Sequence, residues 1–174
     1  KTGHINVLQI MSNFNEDSFC EIKEIEDVTN HDVKSVEIWV AIQVEKMGYP
    51  ELKSYVHIGC TSEDITNAAY ASMIRDALDN VWIPEAYHLV DEVYKLAEKY
   101  NALPMLAHTH GQPATPTTLG KEMGVYVYRM NRVINQIESL ETYAKFNGAT
   151  GNYAAIAVAF PEENWPLLAE EFVE

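Results

Sequence analysis

The apolar residues in the second half of the chain recur at helical spacing over an unusually long stretch. Tyr126, Met130, Val133, Ile137 and Leu140 are separated by three or four residues, which places them on one face of an α-helix. The pattern predicts a helix from about residue 117 to 146, longer than the globular norm. A helix of that length needs partners along its face, so it favours a helical bundle or an oligomer core.

Helical signals also dominate the rest of the chain. The patterns predict helices at 16–28, at 30–46 with Asn30 as the N-cap, from 61 to about 81, and from Pro84 to Tyr100. Asn164 with Pro166 is typical of the start of a last helix. Because strand signals are almost absent, the sequence predicts an all-α fold.

Composition narrows the classes of partner. The 174 residues carry a formal net charge of −14, which argues against nucleic acid and against anionic membrane surfaces as partners. No apolar run approaches the length of a membrane span. Two widely separated cysteines, Cys20 and Cys60, suggest a reducing compartment such as the cytoplasm. A metal site is not expected, since His108 and His110 cannot share a helix face and no further ligand is obvious.

Chemistry-bearing residues concentrate in three segments, at 29–34, 57–64 and 108–118. Each places hydroxyl or imidazole groups at a helix start or in a rigid loop rich in glycine and proline. Thr61 and Ser62 lie beside a helix N-terminus, a suitable seat for a carboxylate or phosphate. Lys34 could add a cation, and Asp32 and Asp64 could orient histidines. Taken singly, each segment is equally consistent with an ordinary cap or turn; together they could hold an anion and move a proton.

Four sequence blocks carry a resemblance to a known family. They are Thr-Asn-His-Asp-Val-Lys at 29–34, His-Ile-Gly-Cys-Thr-Ser-Glu-Asp-Ile at 57–65, Thr-His-Gly-Gln-Pro-Ala-Thr-Pro-Thr-Thr-Leu-Gly-Lys-Glu at 109–122, and Asn-Gly-Ala-Thr-Gly-Asn-Tyr at 147–153. In this order and spacing, from about residue 5 onward, the chain resembles the adenylosuccinate lyase family of the fumarase/aspartase superfamily. The third block is the most specific. One departure is His108, where the superfamily commonly carries Arg.

The resemblance implies a β-elimination. The family releases fumarate from adenylosuccinate, giving AMP, and from the succinyl-carboxamide ribonucleotide, giving AICAR, in purine nucleotide biosynthesis. Such chemistry needs a base, an acid for the leaving nitrogen, and donors for the carboxylates. By the resemblance, His110 is the general acid and seven residues bind substrate: Asn30, His31, Asp32, His57, Thr61, Ser62 and Thr109.

The resemblance also implies an organisation. Residues 1–60 would be the end of a small helical N-terminal domain, and residues 61–174 the first part of a central helical bundle. The family forms homotetramers that share each site between subunits, and it needs no cofactor. The family's serine-bearing loop and its Arg-Tyr phosphate element have no counterpart in this sequence. The chain is therefore expected to be an internal piece, inactive alone.

Two alternatives stay open. The chain could belong to another lyase of the same superfamily, acting on argininosuccinate or fumarate. It could also be a non-catalytic helical scaffold that kept the histidine loop for structural reasons; a buried His110 without a pocket would favour that interpretation.

Overall fold

A computed structural model describes residues 8–174, with side chains from residue 10 onward, and is mostly helical. The first seven residues of the predicted segment 1–60 lie outside the described residues. The elements, in chain order, are α1 (Leu8–Ser12), α2 (Glu16–Thr29), α3 (Asp32–Lys46), a 3-10 helix (Pro50–Tyr55), α4 (Ser62–Ala77), a π-helical turn (Leu78–Trp82), α5 (Ile83–Lys99), β1 (Pro104–Thr109), β2 (Gln112–Thr118), α6 (Leu119–Glu138), α7 (Ala154–Ala159) and α8 (Trp165–Val173).

The chain divides into two compact units. The first contains the described residues up to Tyr70 together with Ala144–Glu174, and the second is Ala71–Tyr143. The boundary predicted between residues 60 and 61 stays a prediction.

The first unit has its core around α2 and α3. Ile10, Ile22, Trp39 and Val44 are buried together, and the indole Nε1 of Trp39 donates to Glu21 Oε2 at 2.6 Å. That bond satisfies the polar atom of an otherwise apolar side chain, as buried indoles require. The apolar side of α2 is only partly buried, because Phe19 remains 56% exposed.

The second unit is built on the packing of α5 against α6. Val90 on α5 and Ile134 on α6 are buried. Gly120 permits the close approach at the start of α6, since a Cβ there would overlap the Ala97 carbonyl oxygen and the Asn101 backbone. Its amide donates to the Tyr100 carbonyl at 2.9 Å, which fixes the end of α5 against α6.

The histidine segment, expected as an irregular loop, forms an antiparallel β-hairpin. Thr109 pairs with Gln112, so His110 and Gly111 form a two-residue turn, and both have positive φ, 51° and 75°. Positive φ at both central residues is the signature of a type I′ hairpin turn, whose twist matches that of the strands. The register shifts between Leu106 and His108, which indicates a bulge.

The long helix is shorter than its apolar pattern predicts: α6 ends at Glu138. Beyond it, the amide of Lys145 donates to Asn67 Oδ1 at 2.7 Å and its carbonyl accepts from Asn67 Nδ2 at 3.0 Å. These bonds replace the partners that a continuing helix would supply. Tertiary contacts thus override the local periodicity, which carries no information about Asn67.

Candidate functional site

The segment at 29–34 is a tight junction between two helices. Asn30, expected to cap α3, instead ends α2 in a left-handed conformation (φ 50°, ψ 35°), and its amide donates to Glu26 O at 2.8 Å. His31 is the N-cap of α3: its backbone is extended, and its Nδ1 accepts from the Lys34 amide at 3.3 Å. The sequence prediction failed here because asparagine suits both helix ends.

His31 also contacts the second predicted segment. Its Nε2 lies 3.3 Å from Ser62 Oγ, and its Nδ1 lies 3.3 Å from Asp32 Oδ1. Because Nδ1 accepts the Lys34 amide, the neutral imidazole carries its proton on Nε2 and donates it to Ser62 Oγ. The Ser62 hydroxyl can then direct its own proton outward to an acceptor.

The start of α4 is closed by a side-chain cap from Asp64. Thr61 precedes the helix, and Asp64, three residues later, accepts from the Thr61 amide through Oδ2 at 2.9 Å. An acidic side chain that returns to the amide three residues earlier is half of a capping box. The cap leaves the Thr61 and Ser62 hydroxyls beside the positive end of the helix dipole.

Asp64 is fully buried, and its carboxylate is surrounded by donors. Lys145 Nζ donates to Oδ1 at 2.7 Å, the Asn147 amide to Oδ1 at 3.1 Å, and the Gly148 amide to Oδ2 at 3.0 Å. Desolvation by itself would raise the pKa of Asp64, but the hydrogen bonds from Lys145, Thr61 and Asn147 and the Lys145 charge outweigh it and lower the pKa below its ordinary value of 3.8.

The same carboxylate joins the second and fourth sequence blocks, at 57–65 and 147–153. Asn67, one turn beyond Asp64 on α4, holds both backbone groups of Lys145. Lys145 Nζ donates in addition to the Gly148 carbonyl at 3.0 Å.

His57 lies in the turn that leads to α4 and is half-buried, and its carbonyl accepts from the Cys60 amide at 3.3 Å. The next glycine, Gly59, has φ +72°, and a Cβ there would lie 2.5 Å from the Cβ of Ile156. This turn therefore packs directly on α7.

Thr109 and His110 belong to the second unit and lie at the exposed tip of the hairpin. Type I′ geometry holds the His110 backbone in a left-handed conformation that residues other than glycine rarely adopt. Such backbone strain clusters at functional sites. Two residues earlier, His108 Nδ1 lies 3.1 Å from the Leu106 carbonyl, within the hairpin itself.

The structure thus brings together His31, Asp32, Thr61 and Ser62 in the first unit. Thr109 and His110 belong to the second unit. The structure gives Lys34 and Asp64 partners other than those expected from the sequence. Lys34 pairs with Glu37 at 2.6 Å on its own helix, and Asp64 binds a lysine and backbone amides where a histidine was expected. Sequence analysis missed the ion pair of Asp64 with Lys145 and the structural contact of Asn67 with the Lys145 backbone. The i, i+3 spacing of Asp64 and Asn67 was the available signal.

Among residues 8–174, no group of three or more His, Cys, Asp or Glu side chains could hold a metal ion. In the same part of the chain, no helix combines the length and the apolarity needed to cross a membrane.

Sequence relatives match nearly the whole chain. It is 48% identical to the adenylosuccinate lyase of Vibrio cholerae over 167 residues, 46% identical to that of Haemophilus influenzae and 45% identical to that of Escherichia coli. Each alignment covers 94% of this chain and 36% of the relative. The chain therefore spans about a third of the length of the curated relatives it matches.

Solved structures share the fold. The 3-carboxy-cis,cis-muconate lactonizing enzyme of Pseudomonas putida superposes with a TM-score of 0.68 at 25% identity, over 84% of this chain and 33% of that one. The β-carboxy-cis,cis-muconate cycloisomerase of Acinetobacter calcoaceticus superposes with a TM-score of 0.70 at 23% identity, over 89% of this chain and 35% of that one. These likenesses support the predicted helical lyase fold. A family model described as "Lyase" matches residues 5–172, and the chain therefore belongs to this lyase family.

Proposed function

We propose that this chain is the part of an adenylosuccinate lyase that holds a substrate carboxylate and supplies the proton donor. The observation that carries the proposal is the contact of His31 with Ser62, which joins two sequence blocks of the resemblance across 31 positions. Identity of 45–48% to three adenylosuccinate lyases supports this substrate over other dicarboxylates.

The proposed reaction follows from the donors. A base removes the proton from the carbon next to a carboxylate, the C–N bond breaks with its electron pair passing to nitrogen, and His110 donates a proton to that nitrogen. Ser62 and Thr61 donate hydrogen bonds to the carboxylate as negative charge develops. Fumarate and AMP leave, or fumarate and AICAR from the succinyl-carboxamide ribonucleotide.

Each remaining substrate-binding residue has a place in this proposal. Asn30, His31 and Asp32 line the junction before α3, and His31 donates to Ser62 so that the serine hydroxyl points outward. His57 borders the same helix start, and Thr109 precedes His110 at the hairpin tip. The exposure of His110 argues against the scaffold alternative, whose mark would be a buried histidine.

We also propose a homotetramer in the cytoplasm, acting in purine nucleotide biosynthesis on small-molecule substrates without a cofactor, a nucleic acid or a membrane partner. An exposed apolar face supports the assembly: Tyr126, Val133 and Leu140 on or just beyond α6 are 52–60% exposed. A groove of about 520 Å³ lies between α5 and α6, lined by Trp82, Leu89, Met130 and Val133 among others. Unpartnered apolar patches of this kind mark protein interfaces.

The test is fumarate release by the purified protein that contains this chain, with adenylosuccinate, the succinyl-carboxamide ribonucleotide, argininosuccinate and a buffer control. We expect release from the first two substrates only. Release from argininosuccinate alone would support the alternative lyase, and no release from any substrate would support the scaffold. The isolated 174-residue chain is expected to be inactive, and measurement of intact mass shows which species is assayed.

A further inference from the structure

The carboxylate of Asp64 is the most completely enclosed charge in the described part of the first unit. Its side chain is 1% exposed, whereas that of its partner Lys145 is 37% exposed. A buried carboxylate is tolerated only when donors replace its lost water. Asp64 has four such donors, the Lys145 ammonium and three backbone amides.

These donors come from two separate stretches of chain. The Thr61 amide lies at the start of α4, immediately before Ser62, and the Asn147 and Gly148 amides lie in the turn at 147–151. The Asp64 carboxylate therefore links this turn to Thr61 and Ser62, more than eighty positions earlier in the chain. Thr61 and Ser62 are the residues proposed to bind the substrate carboxylate, and they are called the carboxylate seat below. Gly148 also lies close to the turn that leads to α4, since a Cβ on Gly148 would lie 3.7 Å from the Gly59 carbonyl.

The ion pair also affects the charge near the seat. An unpaired aspartate in the first turn of α4 would repel a bound carboxylate, because both groups are negatively charged. Lys145 Nζ, 2.7 Å from Oδ1, neutralises that charge without occupying the Ser62 hydroxyl.

We infer that Asp64 is a positioning residue: by accepting the hydrogen bond of the Thr61 amide, it holds Thr61 and Ser62 against His31. The inference rests on the proposed function, because it assigns to Asp64 the geometry of the same carboxylate seat. Asp64 itself does not touch the substrate.

The test compares Asp64→Asn with Asn67→Ala in the purified protein that contains this chain. Asn67→Ala is the matched control: it releases the backbone of Lys145 from α4 but leaves the Asp64–Thr61 bond in place. The readouts are kcat and KM for adenylosuccinate, the melting temperature, and amide hydrogen exchange across residues 61–63.

Asp64→Asn is expected to raise KM about tenfold with kcat changed less than about threefold, since the carboxylate is bound in both ground and transition states. Amide exchange at Thr61 should accelerate by about tenfold or more. Asn67→Ala should lower the melting temperature while leaving KM within about twofold. Equal increases in KM in both variants, or an unchanged KM and unchanged exchange in a folded Asp64→Asn protein, would overturn the inference.

A measurement on the unmodified protein decides the case in which Asp64→Asn does not fold. The amides of Thr61, Asn147 and Gly148 should then exchange together, as one cooperative unit held by a single carboxylate. Fast, independent exchange at Thr61 would overturn the positioning role. Failure of the proposed function is recognised separately, as absence of fumarate release from the unmodified protein, and leaves the exchange result decisive.

Discussion

His31 Nε2 lies 3.3 Å from Ser62 Oγ, while the other nitrogen of the same ring caps α3 by accepting the Lys34 amide. One imidazole therefore caps a helix through Nδ1 and contacts the proposed substrate-binding serine through Nε2. Because Nδ1 accepts the Lys34 amide, the neutral ring carries its proton on Nε2, where it can be donated to Ser62. The same Nδ1 also lies 3.3 Å from Asp32 Oδ1.

The two contacts of His31 can be separated by substitution. Asparagine is a good N-cap but is too short to reproduce the imidazole contact, so His31→Asn should keep the free energy of unfolding within about 0.5 kcal/mol. His31→Ala should lose about 1 kcal/mol in urea unfolding because the cap is lost. Both variants should lose activity. A His31→Asn protein that is as destabilised as His31→Ala would show that the cap is not the structural contribution of this residue.

Asp64 should make stability depend on acid pH. Its pKa is lowered in the folded protein by hydrogen bonds from Lys145, Thr61 and Asn147 that outweigh desolvation. The stabilisation is therefore fully present above the ordinary pKa of about 4, and is lost as the pH falls through the lowered folded value. Urea unfolding at pH 7 and at successively lower pH measures this loss.

The variant Asp64→Asn should lose that part of the acid dependence and be less stable at neutral pH. Asp91→Asn is the control, since Asp91 pairs with Lys95 on the surface with 58% of its side chain exposed. Surface pairs contribute about 0–1 kcal/mol, so this control should unfold nearly as the unmodified protein does. Retention of the full acid dependence in Asp64→Asn would contradict the assignment.

Substitution of two glycines of α6 by alanine should have different effects on the free energy of unfolding. A Cβ at Gly120 would overlap the backbone of Ala97 and Asn101, whereas nothing lies within 4 Å of a Cβ at Gly124. Gly120→Ala should therefore lower the free energy of unfolding by about 1–3 kcal/mol through overpacking. Gly124→Ala should leave it unchanged or raise it by up to about 1 kcal/mol through helix propensity. Thermal unfolding of both variants tests the pair, and similar destabilisation would contradict the close packing of α5 on α6.

Sequence patterns predicted most helices but not the ends that tertiary contacts determine. The spacing of apolar residues located α2, α3 and α5, and Asn164 caps α8 as expected, accepting from the Leu167 amide. Helix α6 ends at Glu138, and the later contact of Asn67 with the backbone of Lys145 is one that no local pattern predicts. The hairpin was missed because Pro113 and Pro116 read as a loop, although prolines are tolerated in edge strands.

The sequence suggested residues for the candidate site but could not predict the contacts between them. Helix starts and hydroxyl groups indicated Thr61 and Ser62, and the family resemblance indicated His31 and His110. No local pattern predicts that Lys145 reaches Asp64, because the two are 81 positions apart. Contacts of that range depend on the packed fold.

The most direct measurement is fumarate release from adenylosuccinate by His110→Asn, compared with His88→Asn. Asn-Gly is the preferred pair for a type I′ turn, so the hairpin should remain folded while the imidazole is removed. His88 is the control because its side chain is 77% exposed on α5. We predict that His110→Asn lowers kcat by about 10²–10⁴-fold, the usual contribution of a general acid, and that His88→Asn retains full activity. Full activity in His110→Asn would contradict the account.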